Sequence, residues 1–114
     1  PAPDTGRAAQ SEPAVEGGGE LTGRANFFGD DLNGQVTASG ERFSNDAMTA
    51  AHRSLPFGTR LRVTNLGNRR SVVVRVNDRA SGGRGLILRV TRAAARELGF
   101  ERTGSAKVGI EVIR

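Results

Sequence analysis

Apolar and polar residues first alternate regularly along Gly58-Thr59-Arg60-Leu61-Arg62-Val63-Thr64-Asn65, where Leu61 and Val63 are set between Arg and Thr. A period of two with aliphatic residues on one side predicts a half-buried strand. Residues 71–77 include Val72, Val73, Val74 and Val76, a denser run that predicts a strand buried on both faces near its start. Between them, Leu66-Gly67-Asn68-Arg69-Arg70 supplies turn chemistry, with Gly67 and Asn68 suited to positive φ, so a hairpin is expected. Leu55-Pro56-Phe57-Gly58 reads as the turn that precedes it. Further strands are expected at residues 23–28, 86–90 and 107–113, which carry β-branched or aromatic residues at alternate positions.

One segment departs from the period of two. Thr91-Arg92-Ala93-Ala94-Ala95-Arg96-Glu97-Leu98-Gly99 sets a hydroxyl N-cap before good helix formers and a glycine at the stop, which predicts a helix with Ala93, Ala94 and Leu98 against the sheet. A second, shorter helix is expected from an Asn45 or Asp46 cap through residues 47–51. Short strands and one or two short helices within about ninety residues favour a small closed barrel, since closure removes exposed strand edges.

Composition narrows the chemistry. The 114 residues suffice for one domain, and with five Phe as the only aromatics the core must be built from Val, Leu, Ile and Ala. The chain has no Cys, which excludes disulfides, thiolate metal sites and a cysteine nucleophile, and its single His argues against a metal centre. No apolar run approaches the length of a membrane span. A chain that begins at Pro1 is expected to be a processed or trimmed piece, with any signal peptide or lipid-bearing Cys upstream.

Charge divides the chain in two. Residues 1–22 carry Asp4, Glu12, Glu16 and Glu20 against Arg7, a net of −3; the whole chain is +5, which leaves +8 for residues 23–114. The first segment, rich in Pro, Ala, Gly and Glu, is expected to be a disordered acidic linker, and residues 23–114 the folded domain. Sixteen of the seventeen basic residues are Arg. They are scattered through every element and are not interleaved with aromatics, so the pattern argues against nucleic acid and suits an anionic envelope polymer or a solvated surface.

The polar residues with chemical potential fall at element ends, where a scaffold displays its chemistry. Gly34-Gln35-Val36-Thr37-Ala38-Ser39-Gly40-Glu41 is a loop of small polar residues ending in a carboxylate. Thr49-Ala50-Ala51-His52 follows, and Asn77-Asp78-Arg79 closes the most hydrophobic strand. Asp78 and Arg79 by themselves read as a strand-end turn with an ion pair, Glu41 as a solvated carboxylate, and His52 as a helix-end residue bonded to carbonyls.

In order along the chain stand Gly-x-Ala-x-Phe-Phe-Gly at 23–29, Thr37-Ala38-Ser39-Gly40-Glu41, Thr49-Ala50-Ala51-His52, Leu55-Pro56-Phe57-Gly58-Thr59, Val63-Thr64-Asn65 and Val72-Val73-Val74-Arg75-Val76-Asn77-Asp78-Arg79. Their combination over residues 23–114 resembles the rare lipoprotein A family. The resemblance implies a mostly β fold, a six-stranded double-psi β-barrel also found in expansins and some endoglucanases. It implies a lytic transglycosylase that cuts peptide-poor peptidoglycan between N-acetylmuramic acid and N-acetylglucosamine, leaves a 1,6-anhydro end, and needs no cofactor. Asp78 matches the family's general acid and base, with Glu41 stabilising charge at the sugar and His52 orienting a carboxylate or hydroxyl. Thr37, Ser39, Asn77 and Arg79 are the candidate substrate-binding residues, with Thr37 and Ser39 able either to bond sugar hydroxyls or to stabilise the turn. The same resemblance implies the periplasm, an outer-membrane lipid anchor on an upstream Cys as the only membrane attachment, septal-ring partners, and a role in cell-wall remodelling and daughter-cell separation.

Three departures bear on activity. Ala80-Ser81-Gly82-Gly83 stands where the family has Gly-Pro, and Phe27-Phe28 where it has a Tyr or Trp pair. Leu88-Arg89-Val90-Thr91 stands where the family has Ile-Asp-Leu-Ser, so Arg89 replaces a carboxylate; a cation there would lower the pKa of a neighbouring acid and oppose proton donation. The sequence therefore leaves open a second function, a non-catalytic glycan-binding or divisome-associated module on the same barrel.

Overall fold

The computed structural model describes residues 21–80 and 85–113. Six strands, β1 (Leu21–Phe27), β2 (Thr49–Ala51), β3 (Arg60–Asn65), β4 (Ser71–Asp78), β5 (Leu86–Val90) and β6 (Ser105–Ile113), close into a barrel in the order β1-β5-β2-β4-β3-β6, and one helix, α1 (Arg92–Leu98), precedes β6. β1 with β5 and β2 with β4 are parallel pairs; the other pairings are antiparallel. Parallel neighbours cannot be joined by a tight turn, so the chain must cross over to form each pair. Two such crossings in one six-stranded barrel are the expected double-psi arrangement.

Alternation explains which side chains enter the barrel. Leu61 and Val63 of β3, Val74 and Val76 of β4, Leu88 and Val90 of β5 and Val108 and Ile110 of β6 are buried and share one cluster with Ala25 and Ala50. The β3–β4 hairpin forms as expected, with Leu61 opposite Val74 and Val63 opposite Val72. Two local expectations fail. β4 is not buried on both faces near its start, because strict alternation turns Val73 outward to 37% exposure. The hairpin's left-handed residue is Arg69 (φ 66°), not Gly67 or Asn68. Asn68 is instead held by its side chain, which donates to the Leu98 carbonyl at the end of α1 and accepts from the Arg70 amide.

α1 closes one end of the barrel. Thr91 accepts from the Ala94 amide as N-cap, and Gly99 ends the helix in the left-handed region. Ala94, Ala95 and Leu98 are the buried residues, so Ala95 takes the place expected of Ala93; these three are spaced along one helical face.

The expected second helix at residues 47–51 does not form: Thr49–Ala51 is β2, inserted between β4 and β5. Helix propensity of the Ala pair is overridden by this double pairing, and only small side chains fit where Ala50 and Ala51 are fully enclosed. Asn45 does cap a helix, but a distant one: its Oδ1 accepts from the Arg92 amide at the start of α1. Residues 1–20 of the expected acidic linker lie outside the described residues, and its last two, Leu21 and Thr22, open β1. Of the departures, Ser81, Gly82 and Gly83 also lie outside the described residues.

The segment between β1 and β2 carries three of the seven candidate site residues, Thr37, Ser39 and Glu41. A second apolar cluster of Phe28, Phe43 and Ala51, with Leu32 and Ala80 against it, pins this segment down. Phe28 and Phe43 meet edge to face at 4.9 Å. Asn45 ties the same segment together, donating to the Phe28 carbonyl and to Asp30 while its amide donates to Asn33.

Candidate active site

β4 ends where the 35–43 loop folds back onto it, and the candidate residues meet at that junction. Residues 35–43 form a narrow hairpin with a Val36–Arg42 bridge and a tip at Gly40, whose φ of 94° favours glycine. Thr37 anchors the tip, since its amide and hydroxyl both donate to the Glu41 carbonyl and its hydroxyl lies 2.9 Å from the Ser39 hydroxyl. The loop docks on β4 through two bonds, from the Ser39 amide to the Asn77 carbonyl and from the Ala38 amide to Asp78 Oδ1.

Asp78 is the last residue of β4, half-buried. Its Oδ1 accepts from the Ala38 amide at 3.0 Å and from the Arg79 amide at 2.8 Å. Among the described residues no donor reaches Oδ2. The carboxyl is therefore oriented through one oxygen by two backbone amides. The carbonyl of Asp78 accepts from the His52 amide, which ties the end of β2 to the same point.

Glu41 is an anion held in place. Arg75 binds it through both guanidinium nitrogens, at 2.5 and 2.9 Å, and Asn77 Nδ2 donates to Oε1 at 3.1 Å. These side-chain hydrogen bonds, Arg75 first and Asn77 second, hold its carboxyl below the usual carboxylate range. Glu41 is thus a fixed negative charge that cannot donate a proton near neutral pH. Arg75 is the residue that sequence reasoning did not single out; its position in a strand of valines, outward between Val74 and Val76, is the signal that could have found it.

His52 is 7% exposed, and its Nδ1 accepts from the amides of Ser54 and Leu55 at 3.0 and 3.1 Å. An imidazole that accepts at Nδ1 carries its proton on Nε2. Burial, then the nearby charges of Arg79 and Arg53, push its pKa down, so the ring stays neutral and presents an Nε2–H donor. The ring does not cap a helix.

Arg79 does not pair with the Asp78 carboxylate among the described residues. Its Nη1 donates to the carbonyls of Leu55 at 2.7 Å and His52 at 3.3 Å, and its guanidinium stacks 4.1 Å above the Phe57 ring. Arg89, the substituted position, donates through Nε to Asn26 and lies 5.2 Å over the Phe28 ring. The cation bonded to a candidate carboxylate is therefore Arg75 and not Arg89. Phe27 and Phe28 pack on Phe100 and Phe43 respectively. Among the described residues no three His, Asp or Glu side chains are grouped to hold a metal ion.

The junction so assembled brings together all seven residues expected from the sequence: Asp78, Glu41 and His52, with Thr37, Ser39, Asn77 and Arg79 between or beside them. The segments that carry them are tied to one another by hydrogen bonds, and between them they supply an oriented carboxyl, a fixed carboxylate and a buried neutral imidazole.

Comparison with known proteins gives the same direction. The lytic transglycolase family model matches residues 20–110. The chain is 57% identical over 93 residues to the probable endolytic peptidoglycan transglycosylase RlpA of Nostoc sp., a match covering 80% of this chain and 25% of that protein. It is 47% identical over 92 residues to the endolytic peptidoglycan transglycosylase RlpA of Neisseria meningitidis serogroup A, covering 81% of this chain and 38% of that one. The chain thus spans between a quarter and two fifths of the length of these relatives. Among solved structures, the Streptomyces papain inhibitor superposes with a TM-score of 0.69 at 20% identity, covering 88% of this chain and 99% of that one, a likeness of fold alone.

Proposed function

Because the chain belongs to the lytic transglycolase family, as an RlpA-like double-psi barrel domain, we propose that it cleaves peptidoglycan glycan strands by transglycosylation. The single observation that carries the reading is the pairing of an oriented Asp78 with a Glu41 locked as an anion by Arg75 and Asn77. Cleavage of a glycosidic bond needs an acid at the leaving oxygen and negative charge near the developing oxocarbenium carbon. Asp78 protonates the N-acetylglucosamine O4 as its bond to C1 of N-acetylmuramic acid breaks. The C6 hydroxyl of the same muramic acid then bonds to C1 and returns its proton to Asp78. The net change moves one proton from O6 to O4, closes the 1,6-anhydro ring and consumes no water. Glu41 faces the positive charge at C1, and preorganised charge of this kind acts without reorganising as the bond breaks.

His52, kept neutral, donates from Nε2 to a sugar oxygen. Thr37 and Asn77 hold Glu41, Ser39 offers its hydroxyl to the glycan, and Arg79 fixes the loop that carries His52. The reading assigns the domain to the cell envelope. Its finer terms are the periplasm, an outer-membrane anchor on an upstream Cys, peptide-poor strands as the preferred substrate, and septal-ring partners in daughter-cell separation. A labelled glycan strand should be shortened by the wild-type chain and left intact by Asp78→Asn, as read by size-exclusion chromatography. Equal shortening by the variant would remove Asp78 from the mechanism.

A further inference from the structure

Of the five phenylalanines, Phe28, Phe43 and Phe100 are buried and Phe27 is half-buried against Phe100; Phe57 alone is exposed, at 42%. A single exposed apolar residue needs no explanation by itself. This one differs in how it is held. One ring face is covered by the Arg79 guanidinium at 4.1 Å, and Arg79 is fixed in turn by the carbonyls of Leu55 and His52. Arg79 directly follows Asp78, and Gly58, beside Phe57, donates its amide to the Val76 carbonyl of β4. The ring is therefore oriented by the same strand end that orients the proposed acid, and it borders the junction where the glycan must lie.

We propose that Phe57 is a sugar-stacking platform at one end of the cleft, its exposed ring packing against the apolar face of a pyranose in the glycan strand. The inference rests on the reading above for the identity of the ligand. In a β-linked pyranose of the gluco series the axial C–H bonds at C1, C3 and C5 lie on one face, which is apolar and complementary to the negative face of an aromatic ring. Arg79 contributes as a positioning residue, since its stacking and its two carbonyl bonds fix the ring plane before the sugar arrives. Val36 and Val73, the other large apolar residues exposed among the described residues, offer no flat surface of this kind.

The sequence supplies a direct test, because the chain has no Trp and no Tyr. Phe57→Trp in the Asp78→Asn background sets a single indole at the platform. Titration with peptide-free glycan strands, and with a chitin hexasaccharide as a purified probe, should give a saturable change in its emission. In the same background Phe57→Ala should bind the strands about tenfold more weakly by calorimetry, a loss of about 1.4 kcal/mol, with Phe57→Tyr restoring the affinity. A role confined to packing Arg79 would lower the melting temperature without moving the emission. Strands that bind by calorimetry while the indole emission stays constant, or Phe57→Ala binding with unchanged affinity, would overturn the proposal. If the emission responds but wild-type protein releases no cleavage products, the platform stands and the catalytic reading fails.

Discussion

Two residues of the site differ in what holds them, and each difference has a measurable consequence. Glu41 is bound by Arg75 and Asn77, yet its side chain is 43% exposed, so the pair contributes little to stability and its worth is positional. Glu41→Gln should leave the melting temperature nearly unchanged while lowering the rate of strand cleavage by about two orders of magnitude, the usual scale for losing one preorganised electrostatic group. A rate within about threefold of wild type would exclude Glu41 from charge stabilisation. His52 behaves in the opposite way. Its folded-state pKa lies below the ordinary 6.5 because burial opposes the charged form, so the unfolded chain takes up the proton first as pH falls. Stability from the neutral ring is complete above about 6.5 and is lost as pH falls from there through the lowered folded value. Thermal melts between neutral and acidic pH should show this slope in wild type and a shallower one in His52→Asn; parallel slopes would contradict the account.

At the scale of elements, the segment between β1 and β2 depends on Asn45. Its side chain is buried and satisfies the Phe28 carbonyl, Asp30 and the first amide of α1 together. Asn45→Ala strands these groups and should cost about 2–3 kcal/mol, a fall in melting temperature on the order of 10 °C, with a parallel loss of cleavage as the 35–43 loop loosens. An unchanged melting temperature would show the segment to be held by Phe28 and Phe43 alone. Asn45 also shows where sequence reading reached its limit. A cap residue was recognisable, but not that it caps α1 from a loop 47 residues away. β3, β4 and α1 were legible because their signals are local: strict alternation, a β-branched run, and a hydroxyl cap with a glycine stop. β2 was not, because two alanines in a three-residue strand favour helix, and only pairing on both sides makes them a strand. The seven proposed site residues were singled out by motif order, whereas Arg75 and the stacked Phe57 became visible only when folding set them beside Glu41 and Arg79.

For the molecule as a whole, the closed barrel brings together three segments far apart in sequence: the tip of the 35–43 loop, the end of β2 and the end of β4. Closure matters to function because the parallel β2–β4 pair delivers His52 and Asp78 to the same edge, while the bulge between Ala50 and Ala51 shifts the register so that Ala51 lies opposite Asp78. The +8 charge of residues 23–114 is spread through every element, and a basic domain of this kind suits an anionic polymer. The central claim is that this edge performs an intramolecular transfer in which the sugar's own hydroxyl replaces water. Incubating peptide-free glycan strands with the wild-type chain and with Asp78→Asn, followed by mass spectrometry of the termini, tests it directly. The account predicts 1,6-anhydro-muramic ends from wild type and none from the variant, while both still bind the strands. Hydrated reducing ends from wild type, or no cleavage despite binding, would contradict it.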